Sequence, residues 1–220
     1  MKPKIHFYIV GILTLFIIGL HYSIQKGAYD FSGDLNSQKL TIATFPLTVG
    51  TFEERCIDDF GKQTACRQIK NIKKGDILVT KSSFTLFYRH GHVGLVVDAE
   101  QGLVLEALGY GNVSTLESIE KWMNYPTLKV LRLRERDEML IEKITTQGVT
   151  EFLGIPYSIF ASGTSMNRTH CSALIWKVFF QNNIDLNSTG KFIITPQSIA
   201  NSPYLKVVAA YGFGTNQQWE

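Results

Sequence analysis

The chain has 220 residues, 45% of them hydrophobic and 19% charged, with a formal net charge of +3. This composition excludes a disordered or fibrous chain and supplies enough apolar residues for one domain with a sizeable core. Two of the positive charges, Lys2 and Lys4, stand at the extreme N-terminus, and no Lys/Arg run marks a nucleic-acid footprint, so a nucleic-acid partner is not expected.

The first element is the apolar run IHFYIVGILTLFIIGL, residues 5–20, which follows the two lysines and holds no acidic or strongly basic residue. As a helix it would cover roughly 24 Å, or about 30 Å if it continued through Ile24. The following HYSIQKGAYD has no A-x-A-like cleavage site. Residues 1–25 are therefore expected to form an uncleaved transmembrane helix rather than a cleaved signal, and either reading exports the body of the protein. Residues 26–45 are polar and mixed and read as a linker. A single domain is expected over residues 46–215.

Residues 46–72 read as an extended or hairpin segment. Cys56 and Cys66 flank DDFGKQTA, whose Asp-Phe-Gly-Lys centre is a turn signal. A hairpin would bring the two sulfurs together, and in an oxidising compartment a disulfide would contribute roughly 2–3 kcal/mol. The alternative is a pair of buried free thiols. If they pair, Cys171 is left over, and an unpaired cysteine in an exported protein calls for a role.

Further along, KKGDILVTK reads as a Gly-Asp turn entering a strand. GHVGLVVDAEQGLVLEALG reads as two short strands joined by DAEQG. STLESIEKWM, with Ser114 and Glu117, has the pattern of a capping box before a short helix. TLKVLRLR alternates as a half-buried strand does. RDEMLIEKITTQGVTEFLG is helical in period and is ended by Gly154 and Pro156. THCSALIWKVFFQNN is an apolar helix, TPQSIANSP a helical turn and YLKVVAAYG a final strand. The order implies an α+β fold with an antiparallel sheet packed against helices.

Cys171 follows Thr169, a candidate N-cap, and so falls in the first turn of a helix. There the free N–H groups and the dipole favour a thiolate. The competing reading is a small buried core residue. A thiolate needs an imidazole to share its proton and a third group to orient that imidazole. If the DAEQG turn centres near Glu100, residue 94 lies opposite 106 and residue 92 opposite 108. His92 and Glu106 are then diagonal neighbours on one face. Glu106 lies in the apolar run LVLEALG, where an unpaired carboxylate would be costly, and a histidine partner accounts for it.

These residues carry a resemblance. FLGIPYSIFASGTSMNRTHCSALIWKVF resembles the block that leads into the catalytic cysteine of NlpC-type papain-like peptidases. GHVGLVVD with LVLEA is similar to that family's histidine strand and the strand after it. The histidine block precedes the cysteine block here, as in the circularly permuted YiiX/YebB-like branch, and GDILVT and ITPQSIANSPYLKVV also resemble that branch. The match spans about residues 72–210. It implies a permuted papain-like domain with Cys171 as nucleophile, His92 as general base, Glu106 as its orienting group and Tyr157 helping to stabilise the oxyanion. His170 stands where the family usually has Asp, and Ala173 where it usually has Gly. Both departures bear on substrate preference. His170 reads as a solvated turn histidine, with a pocket role as the alternative.

The implied function is an extracytoplasmic cysteine hydrolase that cleaves an amide bond, in a peptide or peptidoglycan fragment, through a thioester, with no metal or organic cofactor. One alternative is an acyltransferase or lipid hydrolase of the lecithin retinol acyltransferase type. THCSAL lacks the Asn-Cys-Glu-His block of those enzymes, although a membrane segment would suit an acyl-lipid substrate. The other alternative is a non-catalytic binding module on the same fold.

Overall fold

A computed structural model describes residues 8–19, 21, 41–48, 51–85, 88–187, 190 and 193–212. The apolar N-terminal run forms helix α1 over residues 8–19, with its side chains exposed rather than packed into a core. Among the described residues no helix is long and apolar enough to cross a membrane, so the expected transmembrane helix is not borne out. The rest of the expected anchor and most of the linker lie outside the described residues.

The described residues then form two antiparallel sheets and four further helices, as the α+β reading expects. Strands β1 (Thr41–Thr48), β2 (Thr51–Ile57) and β4 (Ser83–Thr85) make a three-stranded sheet in the order β1-β2-β4. β1 overlaps the last residues of the stretch read as a linker. The larger sheet contains β3 (Ile77–Thr80), β5 (His92–Asp98), β6 (Leu103–Ala107), β7 (Ser114–Ser118), β8 (Leu128–Leu133) and β9 (Leu205–Tyr211), in the order β7-β6-β5-β3-β8-β9. The helices are α2 (Ile119–Met123), α3 (Glu138–Glu151), α4 (Cys171–Phe180) and α5 (Pro196–Ala200).

Both faces of the large sheet are covered. On one, Val93, Leu95 and Val97 of β5 meet Leu105 of β6, Ile141 and Ile144 of α3, and Leu174, Ile175 and Val178 of α4. On the other, Leu78, Val96, Val104 and Val130 meet Trp122 and Tyr125. This explains why β8 is buried along nearly its whole length instead of alternating as a half-buried strand would.

The segment STLESIEKWM departs from expectation. Ser114–Ser118 is edge strand β7, paired with β6, and Ser114 Oγ donates to the Phe152 carbonyl instead of capping a helix. The helix starts later, with Ser118 as its N-cap. Pairing along the open edge of β6 satisfies five residues of backbone at once, which outweighs one local cap.

The Cys56–Cys66 disulfide is formed, with the Cα atoms 5.5 Å apart. Its turn is built by Asp58, whose Oδ1 accepts from the N–H groups of Phe60 and Lys62, and by Gly61 at a positive φ.

Candidate active site

The hairpin β5–β6 supplies two of the predicted groups. Asp98 Oδ1 accepts from the N–H groups of Glu100 and Gln101 and closes the turn. Pairing then runs Val96↔Val104 and Leu95↔Leu105, the register that sets 94 opposite 106. His92 and Glu106 consequently share a face, and His92 Nε2 donates to Glu106 Oε2 at 3.0 Å. Both side chains are buried, Glu106 completely. On the other side of the ring, Trp122 stacks against His92 with centroids 5.2 Å apart and planes 16° from parallel. Gly94 makes this possible. A Cβ there would lie 2.7 Å from the Trp122 ring and 2.7 Å from Val104 Cγ1.

Helix α4 supplies the candidate nucleophile. Cys171 is its first residue and is a free cysteine, 7% exposed. The N-cap is His170 rather than Thr169, and its Nδ1 accepts from the Ala173 N–H at 3.3 Å. Thr169 is occupied elsewhere: it bridges to Tyr157, with Ser158 N–H donating to the Thr169 carbonyl and Thr169 N–H to that of Pro156. The cap role therefore passes to the next residue. His170 is buried, at 7% exposure, which corrects its reading as a solvated turn residue. The same bridge delivers Tyr157 to the cysteine. Tyr157, His170 and Cys171 line one cleft of about 400 Å³, whose remaining wall is mostly apolar and includes Ile159, Phe160 and Ile194.

The electrostatics couple these groups. Burial disfavours a charge on His92, but hydrogen bonds to Cys171 and Glu106 and their negative charges outweigh it and raise its pKa to about 10. With His92 Nε2 donating to Glu106, Nδ1 is the ring nitrogen left to exchange a proton with Cys171. Burial likewise opposes a thiolate at Cys171, yet hydrogen bonding to His170 and His92 and their charge hold its pKa well below the ordinary thiol value. The carboxyl of Glu106 is desolvated, but His92 and Lys121 keep its pKa down at about 2. The two shifts at the cysteine and histidine point the same way, toward thiolate and imidazolium near neutrality. The Tyr157 phenol is pushed up by burial and by the cysteine's charge.

Cys171, His92 and Glu106 thus come together, and Tyr157 joins them at the cleft. Cys56 and Cys66 are bonded to each other, outside this group. Three contributors were not singled out from the sequence. Lys121 Nζ is 2.5 Å from Glu106 Oε1, Trp122 covers His92, and His90 lines the cleft with Nε2 2.9 Å from Thr85 Oγ1. His90 was one more histidine outside the N-terminal apolar run, with nothing local to set it apart. Lys121 and Trp122 carry no local signal. Among the described residues no group of three or more His, Cys, Asp or Glu side chains is placed to hold a metal ion.

No curated protein matches the chain. A solved structure described as metalloprotein yiiX from Escherichia coli O157:H7 is similar over 62% of this chain and 96% of that one, at 20% identity and a TM-score of 0.47. Residues 71–220 match the family described as permuted papain-like amidase enzymes, YaeF/YiiX, C92 family. The chain belongs to this permuted papain-like amidase family, and the protein is an enzyme of the hydrolase type.

Proposed function

We propose that the protein cleaves an amide bond through a thioester on Cys171. The observation that carries this reading is the position of His92, hydrogen-bonded to Glu106 and electrostatically coupled to Cys171, with the cysteine lining a cleft. In this mechanism the Cys171 thiolate adds to the substrate carbonyl. The resulting oxyanion accepts from the backbone N–H of Cys171, which heads a helix, and from the Tyr157 hydroxyl. The His92 imidazolium then gives its proton to the leaving amine as the C–N bond breaks. Water attacks the thioester, passing a proton to His92, and the acid leaves as the thiolate is restored. Glu106 keeps the ring in place throughout.

The Cys56–Cys66 disulfide supports an oxidising, extracytoplasmic setting. A peptide or peptidoglycan-type amide remains the first substrate class. The apolar wall formed by Ile159, Phe160 and Ile194 favours an acyl-lipid as a second reading. The test is to incubate the protein with peptidoglycan fragments and, separately, with phospholipid vesicles, beside Cys171→Ala. Cysteine-dependent amine release supports the amidase. Fatty acid release alone would sink it in favour of the lipid reading.

A further inference from the structure

We propose that Lys121 is a positioning residue of this site, and that the disulfide-closed hairpin preceding the family-matched residues holds it there. The inference rests on the Cys171–His92–Glu106 reading above.

Glu106 is fully buried, and its two oxygens go to different partners: Oε2 to His92 at 3.0 Å and Oε1 to Lys121 at 2.5 Å. The last torsion of a glutamate is broad, so a carboxylate held at one oxygen swings its other oxygen freely. Held at both, it presents Oε2 to His92 in one orientation, and His92 in turn to Cys171. Lys121 is itself on a flexible stem, and α2 has only five residues, too few to be stable alone. Something outside the helix must fix it.

That support comes from residues 55–66. Arg55 Nη1 donates to the Lys121 carbonyl at 2.5 Å, Cys66 N–H to that of Met123 at 2.9 Å, and Cys56 N–H to that of Asn124 at 2.9 Å. Arg55 is locked in turn by an ion pair with Glu53 and by stacking over Tyr125, 3.7 Å from its centroid. The disulfide ties Cys56 to Cys66, so two of the three donors belong to one closed loop. Every one of these donors lies before residue 71, where the family match begins. The same helix carries Trp122 onto the other side of His92. The hairpin therefore grips the short helix that touches both members of the His92–Glu106 pair.

The charges facing this unit are few. Lys121 faces Glu106 and, at 4.0 Å, Glu117 of β7. Arg55 also acts on Glu106. His92 faces Glu106 and Cys171 and feels His90, while Cys171 faces His170 and Tyr157 as well. Removing a fixed cation raises the proton affinity of every nearby group. Loss of Lys121 should therefore shift both ionisations of the Cys171–His92 pair to higher pH, by about half a unit at a partly exposed site.

Iodoacetamide alkylation of Cys171 in the full-length protein, followed against pH, reads both ionisations without a known substrate. Lys121→Met should move both limbs alkaline by about half a unit, and Lys121→Arg should restore them. Cys56→Ser/Cys66→Ser, with Lys121 still present, should move them in the same sense. Melting curves record how much of each variant is folded, and Lys121→Gln replaces Lys121→Met if the latter does not fold. If His92→Ala displaces the limbs but neither Lys121 variant does, the positioning role is overturned and the amidase reading stands. If His92→Ala leaves them unmoved, the amidase reading itself fails. A shift in Lys121→Met with none in the double serine variant overturns the role of the hairpin.

Discussion

The two faces of the large sheet differ in kind, and the candidate active site is built where they meet. One face is an apolar layer in which α3 and α4 bury Ile141, Ile144, Leu174 and Val178 against β5 and β6. The other mixes Trp122 and Tyr125 with buried charges: Glu53, Arg55 and Glu106 are each 3% exposed or less. Cys171 comes from the first face, at the start of α4. His92 and Glu106 come from the second, and His92 reaches the cysteine because it is the first residue of β5, at the end of the sheet. The apolar layer can place a helix start accurately because dense packing allows few alternatives. It cannot hold a charged base. The polar face can, because each buried charge there has a partner. Stability is thus concentrated on one side and proton chemistry on the other.

Changes on either face should break that division in distinct ways. His92→Ala should have the largest effect, cutting hydrolysis by about 10²–10⁴-fold, the usual range for a lost acid–base group. The apolar layer should survive it, and a melting curve close to that of the unmodified protein checks this. Ile144→Ala is the mirror experiment. It should cost about 2–5 kcal/mol of stability through a cavity between α3 and the sheet, while the pH dependence of Cys171 alkylation stays where it was. A displaced pH profile would show that the faces are not separable.

Gly94→Ala should cost less stability than Ile144→Ala and should reach the site as well. Its new methyl group meets Trp122 and Val104, and something must shift, at a cost of about 1–3 kcal/mol. Because Trp122 is the ring stacked on His92, this variant should change both the melting temperature and the alkylation profile. An unchanged profile would mean that the stack does not influence His92.

A further effect is the pH dependence of stability. Glu106 has a folded pKa of about 2, below its unfolded value, so its contribution is present above roughly pH 4.5 and is lost as pH falls toward 2. His92 has a folded pKa of about 10, above its unfolded value. Its contribution is complete below roughly pH 6.5 and is lost as pH rises through 10. Urea unfolding at a series of pH values should therefore show two sloping limbs, and Glu106→Gln should flatten both. Limbs that persist in that variant would place the titrating groups elsewhere.

Much of this was legible in the chain. The turn residues of DAEQG set the register of β5 and β6, since a hairpin turn of given length leaves one pairing, and that pairing put His92 beside Glu106. The Asp-Phe-Gly-Lys turn brought Cys56 to Cys66 for the same reason. Periodicity marked α3, and Thr195 and Pro196 marked α5. The failures have a common source. Ser114 looks like a cap only until β6 offers its edge, and Thr169 looks like a cap only until Tyr157 takes its backbone. In both cases a long-range hydrogen bond replaced a local one. The membrane-spanning helix expected from hydropathy is a separate case: no described helix is long and apolar enough to cross a membrane.

The sequence by itself determined the local geometry: which residues turn, which alternate, and where a helix starts under Cys171. These depend on interactions a few residues long, for which the chain carries its own instructions. Only the tertiary structure decided which side chains surround the reacting pair. Lys121 reaches Glu106 from 15 positions away, and Arg55 holds Lys121 from 66 positions away. Such contacts are set by how sheets and hairpins stack, and no local pattern of residues encodes them.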